Sequence, residues 1–396
     1  MMLTISREQA RRFLIAYHFQ QSDLPGVFAR LGTVQYDPLN PVGRNPDLVL
    51  QARVPGYRVN DWQEAAYSDR LVYDAWDKQA CLVLSRDWSR RACIREMYRP
   101  YHDREILQAE ADVAQAILAE IDARGALSSQ DFEDSHRYAD ETWYGQTRTK
   151  RVLRALWACG EVVTHHRKNG RHYYDRPARV IPSQHYAMAP LLDKEAYARW
   201  IIEQRYRAVG LLRPNAEACI WSGCGDGATR KLAIAQLVAD GTLTHVHVGE
   251  KGWSYYMLSS ALPLLDAELP EPHVIFLGPL DSFLWDRKAV QQLFDFDYVW
   301  EVYKPVHQRR WGYYVLPVFY GDRFIARLDS RLEKGIWTIS RWWWEPDVVP
   351  DGAMLEALHS AAARFLQYLQ ASDVHIDESV DTLARTAILG GIKVDA

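Results

Sequence analysis

Cysteine is scarce in this chain, and long apolar runs are missing. The five cysteines, Cys81, Cys93, Cys159, Cys219 and Cys224, are scattered over 396 residues. An odd, dispersed set argues against a disulfide framework and for reduced thiols, as in a cytoplasmic protein. Cys219 and Cys224 have four residues between them and no second Cys/His pair at zinc-site spacing, so neither a metal nor a cofactor is expected. No apolar stretch reaches the roughly 20 residues of a membrane span. The opening Met1-Met2-Leu3-Thr4-Ile5-Ser6-Arg7-Glu8 lacks the basic-then-apolar order of a signal peptide. An excess of one charge is also absent: the net charge is −4, so any attraction to nucleic acid must be local. Aromatic residues are plentiful, with 15 Trp and 22 Tyr for core or for stacking surfaces. The length predicts two to four domains.

Helical periodicity opens the chain. Ser6 is placed to cap a helix to about Phe19, with Ala10, Phe13, Leu14 and Tyr17 on one face. A second helix, Leu24 to Leu31, is closed by Gly32. Thr33 to Asn40 reads as a strand, with Leu48 to Arg53 as its partner. An Arg-rich helical stretch covers Ser89 to Arg104, and an amphipathic helix runs from Ile106 to about Arg124.

A repeat then emerges. Thr149 to Cys159 is helical and Gly160 caps it. Glu161–His166 is a strand, Asn169-Gly170 a tight turn and Arg171–Tyr174 the return. The same order recurs with a helix to Asp240, Gly241, Thr242–Val246, the turn Gly249–Gly252 and Trp253–Tyr256. Gly32 aligns with Gly160 and Gly241. Helix, helix and a two-stranded wing is the winged variant of the helix-turn-helix. The fold expected is therefore α+β, with three tandem winged helices over 1–105, 106–190 and 191–268. A small antiparallel β-barrel or sheet occupies 269–396, with strands at His273–Leu277, Tyr298–Tyr303, Gly312–Tyr320, Phe324–Leu328 and Gly335–Ser340. Helix Gly352–Leu369 closes it, before a mildly acidic tail to Ala396.

Two features carry chemistry. Gln35 and Asp37 lie two apart, so on a strand they share one face, an amide beside a carboxylate, suited to holding and activating a water. Such a pair alone is more often a solvated face. The second feature is charge: between Tyr144 and Pro182, nine Lys/Arg stand against Glu161 and Asp175, an excess of seven. Arg148, Lys150, Arg151 and Arg154 fall on the helix and Arg167, Lys168 and Arg171 on the wing, with Arg176 and Arg179 beyond. That is the footprint of phosphate contacts. A hairpin tip with His307, Gln308, Arg309 and Arg310 is suited to a minor groove.

Gln35-Tyr36-Asp37, followed by Asn40, Arg44, Leu48-Val49-Leu50 and Arg53, resembles the signature of the YcaQ/AlkZ family of bacterial winged-helix DNA glycosylases. Pro279 to Arg287 and Tyr303-Lys304-Pro305 with Arg310 to Pro317 look like its carboxy-terminal motifs, and the match spans residues 5 to about 370. Gln-x-Asp places the chain nearer the YcaQ branch. Lys78-Gln79 stands where that branch has a His-Glu pair, which bears on substrate range, and Asp329-Ser330-Arg331 replaces Asp-x-Lys. The resemblance implies excision of bulky alkylated purines, interstrand crosslinks included, from double-stranded DNA. It also implies Gln35 and Asp37 as catalytic residues, and Asn40, Arg44 and Arg53 beside the DNA.

A purine alkylated at N7 or N3 is already cationic and leaves without a protein acid, so one carboxylate suffices for an oxocarbenium-like transition state. Asp37 would stabilise the sugar cation and take a proton from the water that Gln35 orients. With no Lys in the motif, a lyase step is not expected. A monomer with no protein partner is the simplest assembly. The competing readings are a winged-helix transcriptional regulator without catalysis and a scaffold whose barrel binds a small ligand. A carboxylate facing phosphates serves neither.

Overall fold

The computed structural model describes residues 2–97, 101–132, 147–186 and 192–390. Residues 98–100 of the predicted Arg-rich helix, 144–146 at the start of the basic stretch and 391–396 of the acidic tail lie outside the described residues. The fold is mixed α+β in two units. One is Met1–Trp62 with Ile202–Trp221 and Asp226–Ala396; the other is Gln63–Ile201 with Ser222–Gly225. Residues 202–221 and everything after Asp226 fold with the first unit.

In the first unit the sequence's local signals hold well. The Ser6 hydroxyl accepts the Gln9 N–H at 3.0 Å and the Gln9 side chain accepts the Ser6 N–H at 2.9 Å, a capping box that starts helix Arg7–Phe19. Helix Leu24–Leu31 ends at Gly32, whose left-handed φ of 71° lets its N–H reach the Phe28 carbonyl at 2.8 Å. Helix Gly352–Leu369 has the predicted bounds, with Asp351 accepting the Met354 N–H.

One strand had no local signal. Met2–Ile5 pairs in parallel with Leu243–Val248, Met2 opposite His245 and Ile5 opposite Val248. It opens a sheet that continues through Trp253–Leu258 to Leu211–Leu212.

The carboxy-terminal part of the unit is a five-stranded sheet in the order Val274–Phe276, Val315–Tyr320, Arg323–Glu333, Ile336–Trp344 and Asp373–Ile376. The last pair is parallel, and no further strand closes the sheet into a barrel among the described residues. Its fifth strand comes from the predicted tail, which also forms helix Thr382–Gly390. Phe296 and Phe324 stack at 4.0 Å, Phe294 and Phe319 meet Phe324 edge-on and Phe283 meets Phe294 edge-on, so much of the aromatic content is core. Each such ring buried stabilises by roughly 1.5–3 kcal/mol.

Two predicted strands are not strands. Leu48–Arg53 falls largely in helix Asn45–Gln51: a short apolar run carries no period, and Pro46 in the first turn with the Asp47 carboxylate on the Arg44 N–H at 3.0 Å decides for helix. Tyr298–Tyr303 is irregular, because the Glu301 carboxylate takes the N–H groups of Arg310 and Trp311 and folds the segment back on itself.

The second unit holds hairpin Val72–Trp76/Ala80–Leu84, helix Arg148–Ala158 and hairpin Val163–Lys168/Arg171–Asp175. Asn169 at φ 52° and Gly170 at φ 76° make the predicted turn between the last two strands. Ile106, Ile117, Ile121, Val152, Leu153 and Leu156 form one core. The helix expected from Ile106 to Arg124 breaks at Glu110 into Tyr101–Ala109 and Ala111–Arg124, and the Glu110 carboxylate takes the Arg148 guanidinium.

Candidate active site

The segment from Thr33 to Asn45 builds the site within the first unit. Strand Thr33–Gln35 is buried throughout and stops at Gln35, so Asp37 lies just beyond it rather than beside Gln35 on one strand face. From Tyr36 to Arg44 the backbone is irregular and held from elsewhere. Asn45 donates from Nδ2 to the Gln35 carbonyl at 2.7 Å, while its Oδ1 accepts the Leu280 N–H at 3.2 Å. The Pro41 carbonyl accepts the Leu332 N–H, and the Val42 carbonyl accepts the Tyr368 hydroxyl at 2.8 Å. Asp47, fully buried, accepts from Arg44 N–H, Tyr57 hydroxyl at 3.0 Å and Asn60 N–H at 2.6 Å. At Gly43, φ is 97° and a Cβ would stand 1.8 Å from the Tyr368 oxygen, so only glycine fits.

Between these pins sits Asp37, half-buried. Its Oδ1 accepts the Leu39 N–H at 2.9 Å, an Asx-type turn that fixes the carboxylate. No cation pairs with it among the described residues. Partial burial pushes its pKa above the ordinary value, and the Leu39 N–H pulls it back. Tyr36 packs edge-on to Trp62 at 5.8 Å, behind the loop. Tyr314 is 1% exposed and its hydroxyl has no hydrogen-bond partner among the described residues. Burial, and next the charge of Asp37, push the Tyr314 phenol well above its usual range, so it stays protonated within the field of that carboxylate. Gln35 is buried and Asn40 is exposed. The arrangement can offer one ionised carboxylate, on a rigid backbone, to a developing positive charge or to a water.

The other predicted contacts divide into free and committed groups. Arg53 is a correction: it is 2% exposed and both its Nη atoms lie 2.8 Å from the Asp281 carboxylate, so it cannot meet a phosphate. Arg44 reaches Asn60 at 3.3 Å. In the segment after Glu301, His307, Gln308 and Arg310 are exposed, as are Tyr303 at 85% and Val306 at 77%. Arg309 is held by the Lys304 carbonyl at 2.9 Å and lies 5.0 Å over Tyr313.

Within the second unit, Arg148 is taken by Glu110 and Asp112, and Arg167 by the buried Asp74. Arg176 and Arg179 face Asp122 and Asp175. Lys150 and Arg154, one turn apart, are exposed, as are Lys168 and Arg171 flanking the Asn169-Gly170 turn; Arg151 is half-buried. Of the predicted strip, Lys150, Arg154, Lys168 and Arg171 are the exposed residues without a carboxylate partner among the described residues.

Sequence reasoning missed Asn45, Asp47, Tyr57, Tyr314 and Tyr368. The run Arg44-Asn45-Pro46-Asp47 is a helix start that could have been read; the tyrosines act over distances in sequence that leave no local trace.

A family model described as "DNA glycosylase AlkZ-like" matches residues 28–368. Among solved structures, Streptomyces sahachiroi DNA glycosylase AlkZ is similar over 96% of this chain and 100% of its own, with a TM-score of 0.62 at 16% sequence identity.

Proposed function

This chain belongs to the AlkZ-like DNA glycosylase family and is a DNA glycosylase; on that premise we propose that it hydrolyses the N-glycosidic bond of purines alkylated at N7 or N3, interstrand crosslinks included. The observation that carries the reading is Asp37: a half-buried carboxylate with no cation beside it among the described residues, on backbone pinned through Gln35, Pro41, Val42 and Arg44. An unneutralised acid on rigid backbone is costly for stability and useful for chemistry.

The alkylated base departs as a neutral leaving group, since it carries the positive charge at the start. The sugar left behind is an oxocarbenium-like cation, which the Asp37 carboxylate stabilises. A water held by Asp37 and oriented by Gln35 adds to the anomeric carbon and gives its proton to Asp37. No lysine takes part, so the product is an intact abasic site. The helix–glycine–strand frames at Gly32, Gly160 and Gly241 act as winged helices on the duplex. Lys150, Arg154, Lys168 and Arg171 meet phosphates, and His307, Gln308 and Arg310 probe a groove. A regulator reading has no use for the exposed edge of Asp37.

The test is to incubate the protein with an N7-alkylguanine duplex and with a nitrogen-mustard crosslink, then reveal abasic sites with alkali. Asp37→Asn should lower excision by about 10²- to 10⁴-fold with duplex affinity retained. Near-normal excision by the Asn variant removes Asp37 from the mechanism. Only the ionised acid works, and partial burial raises its pKa, so the excision rate should climb with pH through that raised value and then level off.

A further inference from the structure

A cavity of about 420 Å³ lies in the first unit, bounded by the Val54–Arg58 turn, the strand Val274–Phe276 and helix Gly352–Leu369, with no residue of the Asp37 loop in its lining. Its chemistry is one-sided. Arg58 and Arg364 line it and are both exposed, with His273 half-buried beside them. Neither arginine pairs with a carboxylate, and no Asp or Glu is among the described lining residues. Arg364 has only a 3.5 Å contact to the Val274 carbonyl, and burial draws its pKa down. Arg53 also lines the cavity, but Asp281 neutralises it, which leaves Arg58 and Arg364 as the net charge. The nearly buried rings of Tyr57, Phe276, Phe365 and Tyr368 back the cavity. Two guanidiniums without a carboxylate partner lack an anion.

We infer that this cavity is a ligand site, distinct from the one that holds Asp37, for a phosphate-bearing group of nucleotide size. The guanidiniums take the phosphate oxygens in bidentate fashion and the rest of the cavity takes the body attached to it. Four glutamine side chains on the lining (Gln21, Gln51, Gln367 and Gln370) supply neutral donors and acceptors around the charge, although Gln51 already donates to the Phe276 carbonyl at 2.7 Å. The ring of Tyr368 faces this cavity while its hydroxyl holds Val42, so a ligand here rests on a group that also fixes the catalytic loop. The phosphate can come from a free nucleotide or from a DNA strand.

The test titrates the full chain at low salt with inorganic phosphate, adenosine 5′-monophosphate and adenosine, following heat. A second arm measures affinity for an undamaged duplex across a salt series. Both are repeated with Arg58→Ala, Arg364→Ala, the two Ala changes together, and Arg364→Lys, which keeps the charge but not the fork. If the source is a free nucleotide, the monophosphate binds at one site, adenosine binds at least about tenfold more weakly, and each Ala variant loses about tenfold or more while Lys loses less. If the source is a strand, the small ligands do not bind, and the double Ala variant lowers the salt slope of duplex binding by about two. No binding of the small ligands together with an unchanged duplex salt slope overturns the inference.

Discussion

The frames that follow Gly32 and Gly160 begin alike and end differently. At Gly160 a six-residue strand turns at Asn169-Gly170 and returns, and its ladder from Val163↔Asp175 to Lys168↔Arg171 satisfies the backbone within thirteen residues. At Gly32 the strand stops after three residues and runs into the irregular segment from Tyr36 to Arg44, because Asn45–Gln51, expected to contain its partner strand, is helical. The loop after it is held by Asn45, Leu332 and Tyr368, the last 326 positions away. A hairpin that closes on itself can only present side chains on its surface, and here it presents Lys168 and Arg171. A loop held from several elements can keep a carboxylate half-buried and unpaired, which a hairpin edge cannot.

The comparison can be broken in graded steps. The largest expected effect is Arg53→Ala, which strands the fully buried Asp281 behind the loop and should cost about 3–5 kcal/mol in urea unfolding. Gly43→Ala comes next. Its positive φ and the clash with Tyr368 should cost about 1–3 kcal/mol and reduce excision in parallel, because the loop must move. Gly170→Ala sharpens the contrast: its φ is also positive, but a Cβ there meets nothing within 4 Å. It should cost only about 1–2 kcal/mol and leave base release intact. Tyr368→Phe removes one hydrogen bond to Val42, worth about 1 kcal/mol, yet should lower excision more than Gly170→Ala does. The smallest change in stability, within about 0.5 kcal/mol, is expected for Lys168→Ala with Arg171→Ala. Its readout is a duplex-binding salt slope lower by about two.

Legibility followed the range of the interactions. The Ser6 capping box, the Gly32 cap, the Asn169-Gly170 turn and helix Gly352–Leu369 are set by neighbours within a few residues, and each was readable. Met2–Ile5 became a strand only through a parallel partner at Leu243–Val248. Leu48–Arg53 looked like a strand because a short apolar run fits either period, and Asp47 settled it by capping. At the site, Gln35 and Asp37 stood out by spacing and by resemblance. Arg53 was read as a phosphate contact because nothing local reveals Asp281 as its partner.

The amino-acid order alone determined the helix–glycine–strand frames, the two-residue spacing of Gln35 and Asp37 and a stretch rich in Lys and Arg between Arg148 and Arg179. Tertiary structure decided which charges remain available, because a neighbour distant in sequence either neutralises a group or leaves it open. Arg53, Arg148 and Arg167 found carboxylates. Among the described residues Asp37 found only the Leu39 N–H, and burial without a counter-charge there is a property of three-dimensional packing that no local pattern encodes.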